Sequence, residues 1–236
     1  MPNNFFKFKQ FTIHQKECAM KVTTLACIQG SWLPDYIPEK VLDIGAGTGL
    51  LSLMIAQKYP SIIDAVEIDP NAVNQLQRNI QQSPWKDRIK YHHNNIKFFA
   101  KHCSNPYDFI VANPPFFENQ LKSPDFQINR ARHESGLTIK ELITLSTTLL
   151  TPQGKLSILL PPVETEKMVE IGRDNSLFIS DQLVISDTSH KPPIAIVTIL
   201  SRKQSIPRSK TLIIKSAEGE YTQDFISLLK DYYLYL

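Results

Sequence analysis

Apolar runs that suit buried strands alternate with amphipathic segments of helical period along most of the chain. The runs predict strands at residues 41–44, 62–68, 89–92, 109–112, 155–160, 177–186 and 194–201. Apolar residues at helical spacing predict helices at residues 50–56, 70–82, 138–150 and 163–175. Alternation of this kind is typical of an α/β protein built on a mostly parallel sheet.

Two further segments flank this alternation. Aromatic residues interleaved with lysines between residues 5 and 11 predict a short two-faced strand or hairpin, whose rings either pack on the main sheet or contact nucleic-acid bases. Residues 19–30 predict a loop that leads into a helix, and an apolar stripe in residues 221–236 predicts a packed C-terminal helix. We therefore expect an N-terminal extension at residues 1–37 and one domain at residues 38–236.

Composition narrows the class of protein. An apolar content of 42% in 236 residues supports one sizeable core. The three cysteines stand apart, and His92 and His93 lack partners at ligand spacing, so we expect no metal site and a reducing, cytoplasmic setting. No apolar run approaches the ~18 residues that a membrane helix needs, so we expect neither export nor membrane insertion.

Charge is unevenly distributed along the chain. The formal net charge is only +3, but basic residues cluster near both ends and in one central segment. The clusters consist of Lys7, Lys9, Lys16 and Lys21, of Arg130 and Arg132, and of Arg202, Lys203, Arg208 and Lys210. Each cluster either guides a polyanion or is a solvated face.

A glycine-rich turn separates the first main strand from the helix that follows it. Gly45, Gly47 and Gly49 lack a Cβ, so the backbone can approach a ligand, and the amides at the helix start can bind a carboxylate or phosphate. The spacing G-x-G-x-G differs from the dinucleotide fingerprint G-x-G-x-x-G. Glu67 ends the next strand, 22 residues after Gly45, where it can accept hydrogen bonds from both hydroxyls of a ribose; a surface carboxylate is the alternative.

An Asn-Pro-Pro-Phe-Phe segment follows the strand at residues 109–112. Asn113 is therefore expected at the carboxyl edge of the sheet, where open α/β sheets bind ligands. Because two prolines fix the backbone, the Asn113 side-chain oxygen and the neighbouring carbonyl can both point at one planar amine, and Phe116 offers a face for stacking. An ordinary loop turn is the alternative interpretation.

A polar stretch of more than 20 residues then runs to Gly136. It is long for a passive connection and favours a loop that faces substrate. Arg130, Arg132 and His133 within it are candidates for contacts to phosphates or a base.

Asp43 with the glycine turn, Glu67 and residues 113–116 together resemble the class I methyltransferases that use S-adenosylmethionine. The resemblance covers residues 38–201. It implies a Rossmann-like fold: a seven-stranded, mostly parallel sheet in the order 3-2-1-4-5-7-6, with the last strand antiparallel and helices on both faces. In that class Asn-Pro-Pro-Phe/Tyr belongs to enzymes that methylate planar amino groups, namely the exocyclic amines of adenine or guanine and a glutamine side-chain amide.

Further segments are similar to the bacterial valine tRNA methyltransferases. They are Phe6-x-Phe-Lys-Gln-Phe11, Ile13-His-Gln15, Ala19-Met-Lys-Val22, Gly30-Ser-Trp32, Ala131-Arg-His-Glu134 and Gly219-Glu-Tyr-Thr222. The similarity extends over nearly the whole chain and implies methylation of the exocyclic N6 amine of adenine 37, beside the anticodon of valine tRNA. It implies S-adenosyl-L-methionine as the cofactor and the tRNA anticodon stem-loop as the partner, and we expect a monomer.

The resemblance assigns roles to individual residues. The implied cofactor contacts are Lys21, Asp43, Gly45, Gly47, Gly49, Glu67, Asn95 and Asn113. The implied catalytic residues are Asn113, Pro114, Pro115 and Phe116, and the implied RNA contacts are Phe116, Phe117, Arg130, Arg132 and His133. We expect residues 1–37 to cover the cofactor and to contact RNA.

Two positions depart from the family pattern. Leu25 stands where the family usually has Asp, which removes one polar contact near the cofactor. Asn95 replaces an acidic residue of the wider class, but its amide oxygen can still accept from the adenine amine of the cofactor.

Three alternative functions stay open. An rRNA guanine-N2 methyltransferase would share residues 113–116. A glutamine methyltransferase usually has a helical domain before the glycine turn, and it is disfavoured because only 44 residues precede Gly45 here. A non-catalytic RNA-binding module that retains the fold is disfavoured by the intact glycine turn, Glu67 and Asn113.

Overall fold

A computed structural model describes residues 3–115 and 137–236. Its strands are β1 (Phe5–Lys7), β2 (Thr12–His14), β3 (Lys40–Ile44), β4 (Ile62–Glu67), β5 (Ile89–His93), β6 (Tyr107–Ala112), β7 (Leu150–Leu160), β8 (Phe178–Ser186), β9 (Ala195–Ser201) and β10 (Arg208–Ile213). Its helices are α1 (Thr24–Ser31), α2 (Leu50–Lys58), α3 (Pro70–Gln81), α4 (Ile96–His102), α5 (Ile139–Leu149), α6 (Pro162–Asp174) and α7 (Gln223–Leu229), and a 3-10 turn spans Lys86–Arg88.

Strands β3 to β10 form one sheet in the order β10-β8-β9-β7-β6-β3-β4-β5. Strand β9 runs antiparallel to β7 and β8, and the other pairs are parallel. Strands β3 to β9 therefore have the expected order 3-2-1-4-5-7-6, and the predicted Rossmann-like fold is confirmed. The sheet differs from the prediction by one additional strand.

The additional strand is β10, which pairs parallel with β8 at the edge of the sheet. The sequence pattern does not predict it, because its first four residues are exposed and only Leu212 is buried. This edge strand has no apolar run that would predict it from sequence. It is a strand because its backbone pairs with that of β8.

Strand β7 begins earlier than the sequence predicts. The sequence predicts a helix to residue 150 and a strand at residues 155–160, but α5 ends at Leu149 and β7 starts at Leu150 and includes Pro152. The pairing of β7 with β6 shifts register between Tyr107 and Phe109, and this irregularity accommodates a proline within the strand. The C-terminal helix is shorter than its apolar stripe, since α7 ends at Leu229.

Helices cover both faces of the sheet. One hydrophobic cluster joins it to α1, α2, α3, α7 and the residues around the N-terminal hairpin, and a second cluster joins it to α4, α5 and α6. The hairpin pairs Phe6 with Ile13, and the rings of Phe8 and Phe11 are buried and stacked at 4.5 Å between centroids. These two rings therefore pack on the core, as one of the two interpretations expected. No helix within residues 3–115 and 137–236 has the length and apolar content to cross a bilayer.

The parallel strands bring several candidate residues to one edge of the sheet. Strands β3, β4, β5 and β6 are adjacent and parallel, so their carboxyl ends lie side by side. The Gly45 amide, after β3, donates to the Val66 carbonyl of β4 at 2.9 Å. The Asn94 amide, after β5, donates to the Glu67 carbonyl at 2.9 Å, and Asn113 follows β6 directly. We refer to this edge, where the resemblance places the implied catalytic residues, as the catalytic edge.

Candidate active site

The glycine turn lies at the centre of the catalytic edge. It joins β3 to α2, and Gly45, Gly47 and Gly49 adopt positive φ angles of 72°, 55° and 83°. A Cβ built on Gly45 would have no atom of the described residues within 4 Å, so this part of the backbone faces open space. The turn is therefore a cradle that a ligand can approach closely.

Glu67 is held rigidly beside this turn. Its Oε2 accepts from the Gly47 amide at 2.8 Å, and its Oε1 accepts from the amides of Ile68 and Asp69 at 2.8 and 2.9 Å. Only 8% of the residue is exposed. Each carboxylate oxygen can accept more than one hydrogen bond, so the group keeps capacity for a ligand hydroxyl.

Asp43 lies under the turn and is almost completely buried. Its Oδ2 accepts from the amide and the hydroxyl of Ser52 at 3.1 and 2.7 Å, while Oδ1 has no hydrogen-bond partner among the described residues. Burial raises the pKa of Asp43 to about 7, and the Ser52 hydrogen bonds oppose that rise. The sequence interpretation missed Ser52, whose only signal is a serine within an otherwise apolar first part of α2.

Asn113 has an unpaired acceptor at the end of β6. The residue is half-buried, and its Oδ1 is buried without a hydrogen-bond partner in the described part of the chain. An acceptor in this state is costly unless a ligand or an ordered water supplies the donor. Pro114 and Pro115 follow it, half-buried and exposed respectively. Phe116, Phe117, Arg130, Arg132 and His133 lie outside the described residues, so their expected roles stay predictions.

Lys21 is bonded within its own loop. Its Nζ donates to the carbonyls of Gln15 and Cys18, the latter at 2.9 Å, and Gln15 Oε1 accepts from the Val22 amide at 2.8 Å. These bonds close residues 15–22 into a loop, which we call the cover loop. The Cys18 sulfur lies 4.0 Å from the position of a Cβ on Gly47, so the cover loop passes over the glycine turn. Lys21 thus stabilises the loop that passes over the turn.

The two departures from the family pattern have structural counterparts. Asn95 is exposed after β5, and its Oδ1 accepts from the Lys97 amide at 2.8 Å, which caps α4. The oxygen retains a second lone pair for a ligand. Leu25 is half-buried and packs against the core, so an apolar contact occupies the position of the usual Asp.

Known proteins resemble this chain over nearly its whole length. The family model described as Methyltransferase small domain matches residues 30–163. A protein of Parabacteroides distasonis named tRNA1(Val) (adenine(37)-N6)-methyltransferase is 36% identical over 235 residues, which cover 99% of both chains. A protein of Trichodesmium erythraeum with the same name is 39% identical over 237 residues, again with 99% of both chains covered. The chain belongs to this methyltransferase family.

Solved structures agree on the fold. A predicted O-methyltransferase from Agrobacterium tumefaciens aligns with a TM-score of 0.67 and 15% identity, covering 87% of this methyltransferase and 95% of the other chain. At that identity the likeness shows the class I fold alone. The predicted family and the prediction of an enzyme are confirmed by the curated relatives, and the predicted fold is confirmed again by the solved structure.

Proposed function

We propose that this methyltransferase transfers a methyl group from S-adenosylmethionine to the N6 amine of adenine 37 in the anticodon loop of valine tRNA. The names of relatives that match 99% of the chain support this substrate. The structural observation that carries the proposal is the buried Oδ1 of Asn113 at the catalytic edge, which has no hydrogen-bond partner within residues 3–115 and 137–236. An acceptor of this kind suits a planar amine, which brings the missing hydrogen-bond donors.

The catalytic edge is chemically suited to S-adenosylmethionine. The open cradle at Gly45 admits a ligand against the backbone, and the fixed Glu67 carboxylate suits ribose hydroxyls. The Asp43 Oδ1, which has no partner in the part of the chain that the structure describes, is an acceptor for a ligand amine or a bridging water. When bound, S-adenosylmethionine supplies a methyl group made electrophilic by a positively charged sulfur. We propose that Lys21 and the rest of residues 1–37 contribute by covering this cradle.

Asn113 and the Pro114 carbonyl make the amine reactive. The exocyclic nitrogen of adenine is a weak nucleophile because its lone pair is delocalised into the ring. If each of these two oxygens accepts a hydrogen bond from one N–H of the amine, the nitrogen becomes pyramidal. Its lone pair is then no longer delocalised into the ring. The two hydrogen bonds strengthen as positive charge develops on nitrogen, which stabilises the transition state more than the ground state.

The remaining steps need little from the protein. The methylated nitrogen is ammonium-like and acidic, so it loses a proton to water without a strong general base. We propose that Phe116 and Phe117 stack on the base, which is worth ~1–3 kcal/mol, and that Arg130, Arg132 and His133 contact neighbouring phosphates. A base in an anticodon loop can be turned outward at modest cost.

An open groove beside the N-terminal hairpin is the proposed contact for phosphates of the stem. It measures about 460 Å³ and is lined by Phe5, Lys7, Lys9 and His14, among others. The C-terminal basic cluster is less suitable, because Arg208 is already paired with two carboxylates. Its guanidinium lies 2.6 Å from Asp35 and 2.5 Å from Asp181. We name the first surface the hairpin groove.

The proposal is tested by product analysis. The protein is incubated with isotopically labelled S-adenosylmethionine and valine tRNA, and the RNA is digested to nucleosides. We expect label in N6-methyladenosine, and none when adenine 37 is replaced by guanine. Label in N2-methylguanosine from ribosomal RNA would instead support the guanine methyltransferase. A protein that binds tRNA but shows no calorimetric binding of S-adenosylmethionine would be the non-catalytic module.

A further inference from the structure

Gln29 is a buried amide that contacts the strand carrying Asn113. It lies in α1 with 0% of its surface exposed. Its Nε2 donates to the Ala112 carbonyl at 3.0 Å and lies 3.4 Å from both the carbonyl and the hydroxyl of Ser157 on β7. Its Oε1 is buried and has no hydrogen-bond partner among the described residues.

Stability alone does not explain this amide. Its neighbours Cys27, Ile28 and Gly30 are buried, and a buried acceptor without a donor costs about 1–3 kcal/mol. An apolar side chain of the same length would fill the space without the unpaired Oε1, although the Ala112 carbonyl would lose this donor. The amide does one thing that an apolar side chain cannot do, which is to hold the Ala112 carbonyl.

The Ala112 carbonyl is directly coupled to the catalytic residue. This C=O and the N–H of Asn113 belong to the same planar peptide unit. A hydrogen bond from Gln29 therefore restricts the orientation of the plane from which the Asn113 Cα emerges. Strand pairing of β6 ends at Ala112, so the neighbouring strands do not constrain the next residue in the same way.

We propose that Gln29 is a positioning residue that fixes the peptide between Ala112 and Asn113 and so aims the Asn113 oxygen at the substrate amine. The inference rests on the proposed function, since it assumes that Asn113 accepts from that amine. Gln29 itself is fully enclosed and does not touch substrate. A displacement of ~1 Å in a reacting group can slow an enzyme by ~100-fold, so a second layer of fixation is useful here.

The test replaces Gln29 by methionine, which keeps the length of the side chain and removes its donor. We expect Gln29→Met to lower kcat by about tenfold or more, with S-adenosylmethionine affinity and the KM for tRNA within about twofold. The melting temperature should change little, because leaving the Ala112 carbonyl without this donor is offset by removal of the buried Oε1 acceptor. A loss of kcat without a matching loss of cofactor affinity or of melting temperature is a result that a purely structural role would not produce.

Gln57 is a matched control for this substitution. Its Nε2 also donates to a backbone carbonyl, that of Asp231 at 2.8 Å, and its Oε1 is likewise buried without a partner among the described residues. It lies at the end of α2 remote from the glycine turn. Gln57→Met should leave kcat unchanged. A wild-type kcat in Gln29→Met, or parallel losses of kcat, cofactor affinity and melting temperature, would overturn the proposal.

Hydrogen exchange supplies a readout that does not need activity. Gln29→Met should speed amide exchange in the peptide that covers the end of β6 and Asn113, whereas Gln57→Met should not. If wild-type protein fails to methylate adenine 37, the proposed function is wrong, while this measurement still decides whether Gln29 fixes the strand end. Unchanged exchange in Gln29→Met would refute the positioning role.

Discussion

The proposed chemistry depends on the side chain of one residue, Asn113. Replacing it with alanine removes a preorganised acceptor and should lower kcat by about 10²–10³, with cofactor affinity changed no more than a few-fold. Single-turnover methylation of valine tRNA and calorimetry with S-adenosylmethionine measure the two quantities. Asn175→Ala is the control, because Asn175 is also half-buried but caps the end of α6 that points away from the catalytic edge. Wild-type-like turnover in Asn113→Ala would remove the residue from the mechanism.

Asp43 makes the folding stability of the protein depend on pH. Burial raises its pKa to about 7, so the folded state binds a proton more tightly than the unfolded state. Between the ordinary carboxyl pKa of 3.8 and that value, stability should fall as pH rises. Asp43→Asn cannot ionise, so its melting temperature minus that of wild type should increase between about pH 5 and about pH 8 in cofactor-free protein. A difference that is constant with pH would contradict this prediction.

The close approach of a cofactor to the glycine turn can be tested by comparing two glycines of similar conformation. Gly45 and Gly219 have φ angles of +72° and +90°, and a Cβ on either would meet nothing within 4 Å among the described residues. Alanine at each should therefore cost the same backbone strain, about 1–2 kcal/mol. Only Gly45 faces the proposed cofactor, since Gly219 follows β10, five strands from β3. Gly45→Ala should lower cofactor affinity by about tenfold or more. Its melting temperature should match that of Gly219→Ala. Equal affinities in the two variants would exclude a close approach at Gly45.

Elements differ in how well the sequence predicts them. Strands β3, β4, β6, β7 and β9 are detectable because most of their residues are buried and form apolar runs, whereas β10 is mostly exposed and is defined by its pairing with β8. Glu67 and Asn113 can be predicted because strand ends converge on one edge. Gln29 and Ser52 cannot, because their partners Ala112 and Asp43 are defined by tertiary packing. The Lys21 ammonium was expected at the cofactor, and its bonds to the cover loop depend on a loop conformation that no local pattern encodes.

The whole molecule carries too little charge to attract RNA by its net field. With a formal charge of only +3, any electrostatic attraction must come from local surfaces. The hairpin groove is such a surface, because none of its lining residues in the described chain is acidic. Gln82, which follows α3, lines one side of the groove. Helix α3 begins near the catalytic edge and is about 18 Å long, so the groove lies about that far from the edge. We propose that stem phosphates of a tRNA with base 37 at that edge contact this groove.

Salt dependence tests this placement. Each phosphate contact contributes about 0.9 to the slope of log affinity against log salt, so Lys7→Ala should reduce the slope for tRNA binding by about 1. Lys215→Ala removes another exposed lysine, which lies outside the groove and beyond β10, and should leave the slope unchanged. Fluorescence titrations of the two variants and wild type at several salt concentrations give the slopes directly. Because both variants lose one positive charge, a change in Lys7→Ala alone would locate the contact in the groove. Equal slopes in all three proteins would place the RNA elsewhere on the molecule.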